Sequence, residues 1–154
     1  MQVKHWLTAL VAIASALPTV VQAGINDPYQ LVYRASGVID DTTDSVATMI
    51  ACTNYSTVTE NVAIIFRSDT GASLYFNPQQ VASGATISVS THASFLYPNV
   101  MNAATGTIVG GFLSVGSSTV NVSCSAWIAL ANTRQPSGLQ LHMVRFNPAT
   151  NSVE

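Results

Sequence analysis

The sequence has few charged residues. Aspartate, glutamate, lysine and arginine make up 8 % of its 154 residues, against about 25 % in an average soluble domain. Disordered chains combine high charge with few apolar residues, whereas 48 % of this chain is hydrophobic. Proteins that bind nucleic acids need a basic face to neutralise phosphates, and the formal net charge here is −2. The composition therefore predicts one folded domain with no nucleic-acid partner.

The N-terminal segment is organised like a secretory signal peptide. Lys4, the one lysine in the sequence, precedes the apolar run Trp6–Leu17, and Val21 and Ala23 place small residues at positions −3 and −1 of a cleavage site. The run is too short to span about 30 Å of hydrocarbon, so we expect no stable membrane insertion after cleavage. We predict a signal peptide over 1–23, a folded domain over 24–146, a C-terminal tail over 147–154, and a secreted or periplasmic location.

The two cysteines fit an oxidising compartment. Cys52 and Cys124 both follow the predicted cleavage site, and an exported chain with two cysteines can form one disulfide bond. Such a bond closes a loop of about 70 residues, for which chain entropy gives roughly 4 kcal/mol of stabilisation. The alternatives are a reactive thiol or a metal-bound thiol. Both usually have a Cys or His nearby in sequence, and neither Cys52 nor Cys124 has one. We predict a structural disulfide.

Apolar and polar residues alternate with a period of two along most of the mature chain. Val46, Thr48, Ile50 and Cys52 share one face of a predicted strand, and both cysteines have the apolar parity. We find no segment with apolar residues at helical spacing over two turns. The pattern predicts an all-β fold, a single antiparallel β-sandwich of about eight strands. The predicted strands are Leu31–Ser36, Val46–Cys52, Val62–Arg67, Ala72–Phe76, Ala85–Thr91, Thr107–Val115, Thr119–Leu130 and Leu139–Met143.

Proline and glycine predict where strands end or distort. Pro78 cannot donate a hydrogen bond to a β-ladder, so we expect Asn77 and Pro78 to end a strand. Gly110 and Gly111 lie inside a predicted strand, which indicates a bulge or a close approach of another backbone.

Charged residues are absent from Thr70 to Thr133, although natural sheets usually protect exposed edges with charge, especially lysine. We assign the exposed edge to Thr107–Val115, because it has two glycines and no charge. An edge without charge can pair with a strand of another chain. The predicted partner is therefore the protein itself or another exported protein, bound by strand pairing.

Two blocks of sequence carry a resemblance. Val46–Ser56 (VATMIACTNYS) and Val120–Ile128 (VNVSCSAWI) resemble the paired cysteine strands of small secreted bacterial β-sandwich proteins with an immunoglobulin-like fold. The resemblance implies export and fold, and it transfers no catalytic or binding residue. Antibody-type domains have a tyrosine two residues before the second cysteine, and Val122 occupies that position here.

Asp40, Asp41 and Asp44 form the one acidic cluster of the sequence. Carboxylates on a loop between strands are possible calcium ligands. The glycine and glutamate of an EF-hand loop are missing at the required offsets. We therefore interpret the cluster as a solvated turn, with a weak metal site as the alternative.

The remaining candidates for chemistry are histidines and aromatic residues. His92 and His142 are predicted to face solvent, and their spacing from Cys124 does not fit a blue-copper site, which clusters its Cys, His and Met ligands. Phe95, Tyr97 and Asn99 lie on one predicted loop, where the aromatic rings are suited to stacking on a sugar or another small ligand.

No catalytic constellation stands out in the sequence, and no cofactor is predicted. The first hypothesis is a non-catalytic exported module with a structural, adhesive or assembly role. The alternative is a carbohydrate- or small-ligand-binding module that uses the loop of Phe95, Tyr97 and Asn99.

Overall fold

The computed structural model describes residues 29–94, 99–133, 138–147, 150 and 152–153. The predicted signal peptide lies outside the described residues. The strands are β1 (Gln30–Asp41), β2 (Val46–Asn54), β3 (Glu60–Arg67), β4 (Ser73–Val81), β5 (Thr86–Ser90), β6 (Met101–Asn102), β7 (Ile108–Ser117), β8 (Val122–Leu130), β9 (Gly138–Leu141), β10 (Val144–Asn147) and β11 (Ser152–Val153).

The strands form one curled sheet, which confirms the prediction of an all-β fold. Hydrogen bonding runs in the order β4-β3-β7-β1-β2-β5-β6, with β8 and β9 branching from β2 and with β10 and β11 branching from β1. The β5–β6 pairing is parallel and the other pairings are antiparallel. The sheet is therefore mixed, not purely antiparallel as predicted, because the short β6 runs in the same direction as its neighbour β5.

The curl of the sheet comes from the way β1 changes neighbours. It pairs with β7 over most of its length, whereas it meets β2 only through Asp40–Ala47 and Asp41–Val46. The β1–β7 register shifts on both sides of Val38, and the preceding Gly37 has a φ of 83°. Such irregularities bend a strand and increase its local twist. The curl lets side chains of both halves of the sheet share one core.

The core is built from residues that alternate along the strands. Its buried members come from both halves of the sheet and include Val32, Val38, Ile50, Cys52, Val62, Ile64, Phe66, Val89, Leu113, Val115, Cys124 and Ala126. Burial of a large aliphatic or aromatic side chain contributes about 1.5–3 kcal/mol. The alternation of apolar and polar residues in the sequence therefore corresponds to the alternation of buried and outward-facing residues around this core.

The structure confirms a close backbone approach at the paired glycines of β7. A Cβ atom added to Gly111 would lie 2.3 Å from the carbonyl oxygen of Arg67, and Gly110 has a φ of 72°. Only glycine fits the first position without displacing the neighbouring strand, and the second favours glycine because its φ is positive.

The predicted edge at Thr107–Val115 is wrong. From Phe112 to Ser117, strand β7 pairs with β1 on one side and with β3 on the other, and Leu113 and Val115 are fully buried. Glycines inside a strand signalled the close approach of a neighbouring backbone, which occurs in a sheet's interior as readily as at its margin. The lack of charge from Leu113 to Ser117 matches the burial of that part of the strand.

The predicted end of a strand at Pro78 is also wrong. Strand β4 continues through Pro78 to Val81 and pairs with β3 throughout, with Pro78 opposite Ala63. Strand β4 lies at one end of the hydrogen-bonded order. A proline is tolerated in an edge strand when its nitrogen faces away from the neighbouring strand. Pro78 therefore removes a hydrogen-bond donor from the outer edge of β4, which has no neighbouring strand among the described residues, and so disfavours strand pairing there without a charge.

The disulfide between Cys52 and Cys124 is confirmed. The two residues are direct partners in the β2–β8 ladder, with Cα atoms 4.2 Å apart. The bond therefore links neighbouring strands within the sheet, on the face that packs into the core.

Candidate functional site

A buried carboxylate lies at the corner where β1 turns into β2. The Asp40 side chain is fully buried, its Oδ1 lies 2.6 Å from His92 Nδ1, and its Oδ2 accepts a hydrogen bond of 2.8 Å from Thr105 Oγ1. His92 is the second residue after β5, and Thr105 is the third residue before β7. One carboxylate therefore holds both stems of the segment that joins these two strands.

The interpretation of Asp40 as part of a solvated turn is wrong. Asp40 lies two positions after the buried Val38 and keeps its inward parity at the end of β1. The sequence contained this signal, because a period of two that continues through Asp40 directs its side chain toward the core. Burial of a carboxylate is costly unless hydrogen bonds compensate, and His92 and Thr105 provide them.

The other two aspartates do not join this site. Asp41 Oδ1 accepts hydrogen bonds from the main-chain N–H groups of Thr43 (2.9 Å) and Asp44 (3.3 Å), and Asp44 is exposed. Asp41 thus stabilises the β1–β2 turn. Among the described residues, no group of three or more His, Cys, Asp or Glu side chains is arranged to hold a metal ion.

The two histidines have different environments. His142 is exposed, as predicted. The prediction that His92 faces solvent is wrong, since its side chain is 16 % exposed and is hydrogen-bonded to Asp40. The sequence carried no local signal for this pairing, because the two residues are 52 positions apart.

Main-chain hydrogen bonds close the loop at its base. Thr105 N donates to Thr91 O over 3.0 Å, and Ala103 N donates to Ser90 O over 2.8 Å. Thr91 in turn exchanges two bonds with Thr48 on β2, through the Thr91 N–H and through the Thr91 hydroxyl oxygen. Residues 92–104, which include the short β6 and which we call the clamped loop, therefore have their two ends held close together, as in an Ω-loop.

The three residues predicted to bind a ligand all belong to the clamped loop. Asn99 is exposed within it. Phe95 and Tyr97 lie outside the described residues. The structure therefore describes the support of the predicted recognition loop, which sequence analysis missed: the buried Asp40, the bonded His92 and the Thr91–Thr105 closure.

Comparisons with other proteins give no family assignment. No protein-family model matches the chain, and searches of curated proteins and of solved structures find no significant match. Within the described residues, no helix has the length and apolarity needed to cross a membrane.

Proposed function

We propose that this protein is a non-catalytic exported module with an adhesive role, and that the clamped loop is its recognition element. The observation that carries the proposal is the attachment of both loop stems to the buried Asp40 carboxylate. Burying a carboxylate costs free energy even when it is hydrogen-bonded. We therefore infer that the position of the loop it holds matters for function. Binding residues are commonly located on loops that a rigid scaffold positions.

The chemistry of the loop favours an uncharged ligand. Between Thr70 and Thr133 the chain has no Asp, Glu, Lys or Arg, and the one titratable group of the loop stems, His92, is engaged by Asp40. Phe95 and Tyr97 offer aromatic faces, and Asn99 offers an amide. Apolar surfaces with a few polar groups are typical of small-ligand sites. We propose a neutral saccharide as the ligand class.

We further propose that the curled sheet is an immunoglobulin-like β-sandwich in its layering and that a signal peptide over 1–23 directs it to the periplasm or outside the cell. The shared core of the two halves supports the first proposal. The disulfide, suited to an oxidising compartment, supports the second. The bond joins neighbouring strands, whereas the antibody-type bond joins opposite sheets.

The test is an array of immobilised neutral and acidic glycans, probed with residues 24–154 and with a Phe95→Ala, Tyr97→Ala double variant. We expect the wild-type protein to bind a subset of the neutral glycans and the double variant to lose that binding. Tyr55→Ala is the matched control, because Tyr55 is 73 % exposed and follows the far end of β2. Absence of glycan binding, or equal binding by the double variant, would overturn the proposal.

A further inference from the structure

Half of one edge of β8 has no neighbouring strand among the described residues. Strand β8 pairs with β2 along its whole length, from Val122 to Leu130. On its other side β9 pairs only with the four residues from Ala126 to Ala129. The edge from Val122 to Ser125 is therefore left open where β9 ends.

The Cα–Cα distance between Cys52 and Cys124 shows which way the N–H and C=O groups of β8 point there. Directly opposite residues of an antiparallel pair lie about 4.5 Å apart when they are not hydrogen-bonded and about 5.5 Å apart when they are. The 4.2 Å Cα–Cα distance between Cys52 and Cys124 identifies a non-hydrogen-bonded pair. The N–H and C=O groups of Cys124 therefore point away from β2, toward the open edge.

Side-chain contacts agree with this assignment. The carbonyl oxygen of Val122, which has the same parity as Cys124, accepts a bond from Tyr33 Oη over 3.1 Å. The carbonyl oxygen of Val120 accepts a bond from Arg145 Nη2 over 2.8 Å. The intervening Asn121 carbonyl bonds the other way, to Tyr55 N beyond β2. Main-chain groups of alternate residues thus face the open edge.

A cavity of about 370 Å³ lies at this edge. It is lined by Cys124, Ser125, Gln140, Leu141, His142 and Met143. The pairing of Ala126 with Leu141 means that a continued β9 would place residue 143 opposite Cys124. The chain instead leaves this line after Leu141 and enters β10, which pairs with β1. The cavity therefore lies beside Cys124 and Ser125, where β9 no longer pairs with β8.

We propose that this cavity binds an extended peptide segment of another polypeptide by strand addition to β8. Tyr33 already bonds the Val122 carbonyl, whereas the N–H and C=O groups of Cys124 have no strand partner on this side among the described residues. Another main chain satisfies such groups best. Leu141 is buried and Met143 packs against the core, so an apolar side chain is favoured beside them. This inference is independent of the clamped loop and of its proposed ligand.

Charge specifies the peptide further. A second cavity of about 180 Å³, lined by Val120, Arg145, Phe146 and Asn147, lies farther along the same edge. Arg145 and His142 line the two cavities, and none of the described residues that line them is acidic. Side chains two positions apart on a strand share a face. The partner therefore carries an apolar residue opposite Cys124 and, two or more positions further on the same face, a carboxylate toward Arg145.

The test is selection of displayed random heptapeptides on residues 24–154, followed by hydrogen exchange of single amides with a selected peptide bound. We expect selected peptides to combine apolar and acidic residues and to slow exchange of the Cys124 amide by about tenfold or more. The amides of Ser123 and Ser125 face β2 and should exchange slowly with or without peptide. Arg145→Gln should weaken binding about three- to tenfold, whereas Arg67→Gln, which removes the same charge elsewhere, should leave it unchanged.

Three outcomes would overturn the proposal. One is that no peptide is enriched, and another is that bound peptides leave exchange at Cys124 unchanged. The third is slow exchange of the Cys124 amide in the free protein. Slow exchange at every protein concentration would show that this chain covers the edge itself, and slow exchange only at high concentration would identify a second copy as the occupant.

Discussion

Cys52 and Cys124 face each other across the β2–β8 ladder, with their Cα atoms 4.2 Å apart and their side chains directed into the core. A bond at this place fixes the register of two strands that are far apart in sequence. It also lies beside the open part of the β8 edge, where β9 no longer pairs. The bond thus keeps β8 attached to β2 where β8 has no second neighbouring strand in the described part of the chain.

We expect loss of this bond to lower stability substantially. The Cys52→Ala, Cys124→Ala double variant should have a free energy of unfolding roughly 4 kcal/mol lower than the wild type, because the bond restricts the unfolded chain across a separation of 72 residues. Urea unfolding of the two proteins measures the difference. Thiol titration of the denatured, unreduced wild type should detect no free thiol, and two free thiols would refute the pairing.

Strand β7 should tolerate charge at one end and not in its middle. Leu113 is fully buried between β1 and β3, so Leu113→Lys should cost about 5 kcal/mol or more and prevent stable folding. Val109 lies in the same strand and is 78 % exposed, so Val109→Lys should fold like the wild type. Circular dichroism and thermal unfolding compare the two. A stably folded Leu113→Lys monomer would contradict the central position of β7.

Tyr29 should make the protein sensitive to alkali. Its ring lies against Gly116 and meets the Phe76 ring edge-on, with centroids 6.4 Å apart. Burial raises the pKa of Tyr29 above its ordinary value of 10.0. The folded protein therefore retains this proton at pH values where the unfolded chain loses it, and the free energy of unfolding should fall as the pH rises above 10.

Substitution of the same tyrosine isolates this effect. The Tyr29 hydroxyl is buried and has no hydrogen-bond partner among the described residues, so Tyr29→Phe should not lower stability at pH 7 and should raise it by up to about 1 kcal/mol. Above pH 10 the variant should lose less stability than the wild type. Tyr55→Phe, at a side chain that is 73 % exposed, should keep the wild-type pH dependence. Identical alkaline profiles for wild type and Tyr29→Phe would contradict the prediction.

The sequence predicted the class of fold because burial imposes a local pattern. The alternation that ends at Cys52 places each apolar residue on the core face, and the bond was predicted from the export signal and the count of two cysteines, with the matching parity of Cys124 in support. The order of strands in the sheet, in contrast, depends on contacts between distant segments that a local pattern does not record. A central strand and an edge strand share the same alternation, which is why the sequence left the place of β7 open to error.

The site was harder to predict because its parts are far apart in the chain. The pairing of Asp40 with His92 and Thr105 spans 52 and 65 positions. Closeness in sequence suggested that Asp40 belongs with Asp41 and Asp44. Its position in the inward–outward alternation of β1 instead directs its side chain into the core, away from theirs. The residues of the predicted recognition loop were found by their aromatic character, whereas the support beneath them depends on long-range packing that short patterns do not encode.

The Asp40 side chain should contribute to stability far more than its neighbours do. Asp40→Asn keeps the shape and removes the charge that His92 and Thr105 bond, and we expect it to lower the free energy of unfolding by about 2 kcal/mol. Asp44→Asn is the matched control, because Asp44 is exposed and the substitution should change stability by no more than about 0.5 kcal/mol. Chemical denaturation at pH 7 measures both. Equal effects at the two positions would show that the buried carboxylate is not a structural anchor.

The central claim is that one carboxylate holds both stems of the clamped loop, and amide hydrogen exchange tests it most directly. The amides of Ala103 and Thr105 close the loop on Ser90 O and Thr91 O. In Asp40→Asn, under conditions where the protein stays folded, these two amides should exchange about tenfold faster or more. The Ser125 amide, distant in the β2–β8 ladder, should keep its wild-type rate. Unchanged exchange at Ala103 and Thr105 would contradict the claim.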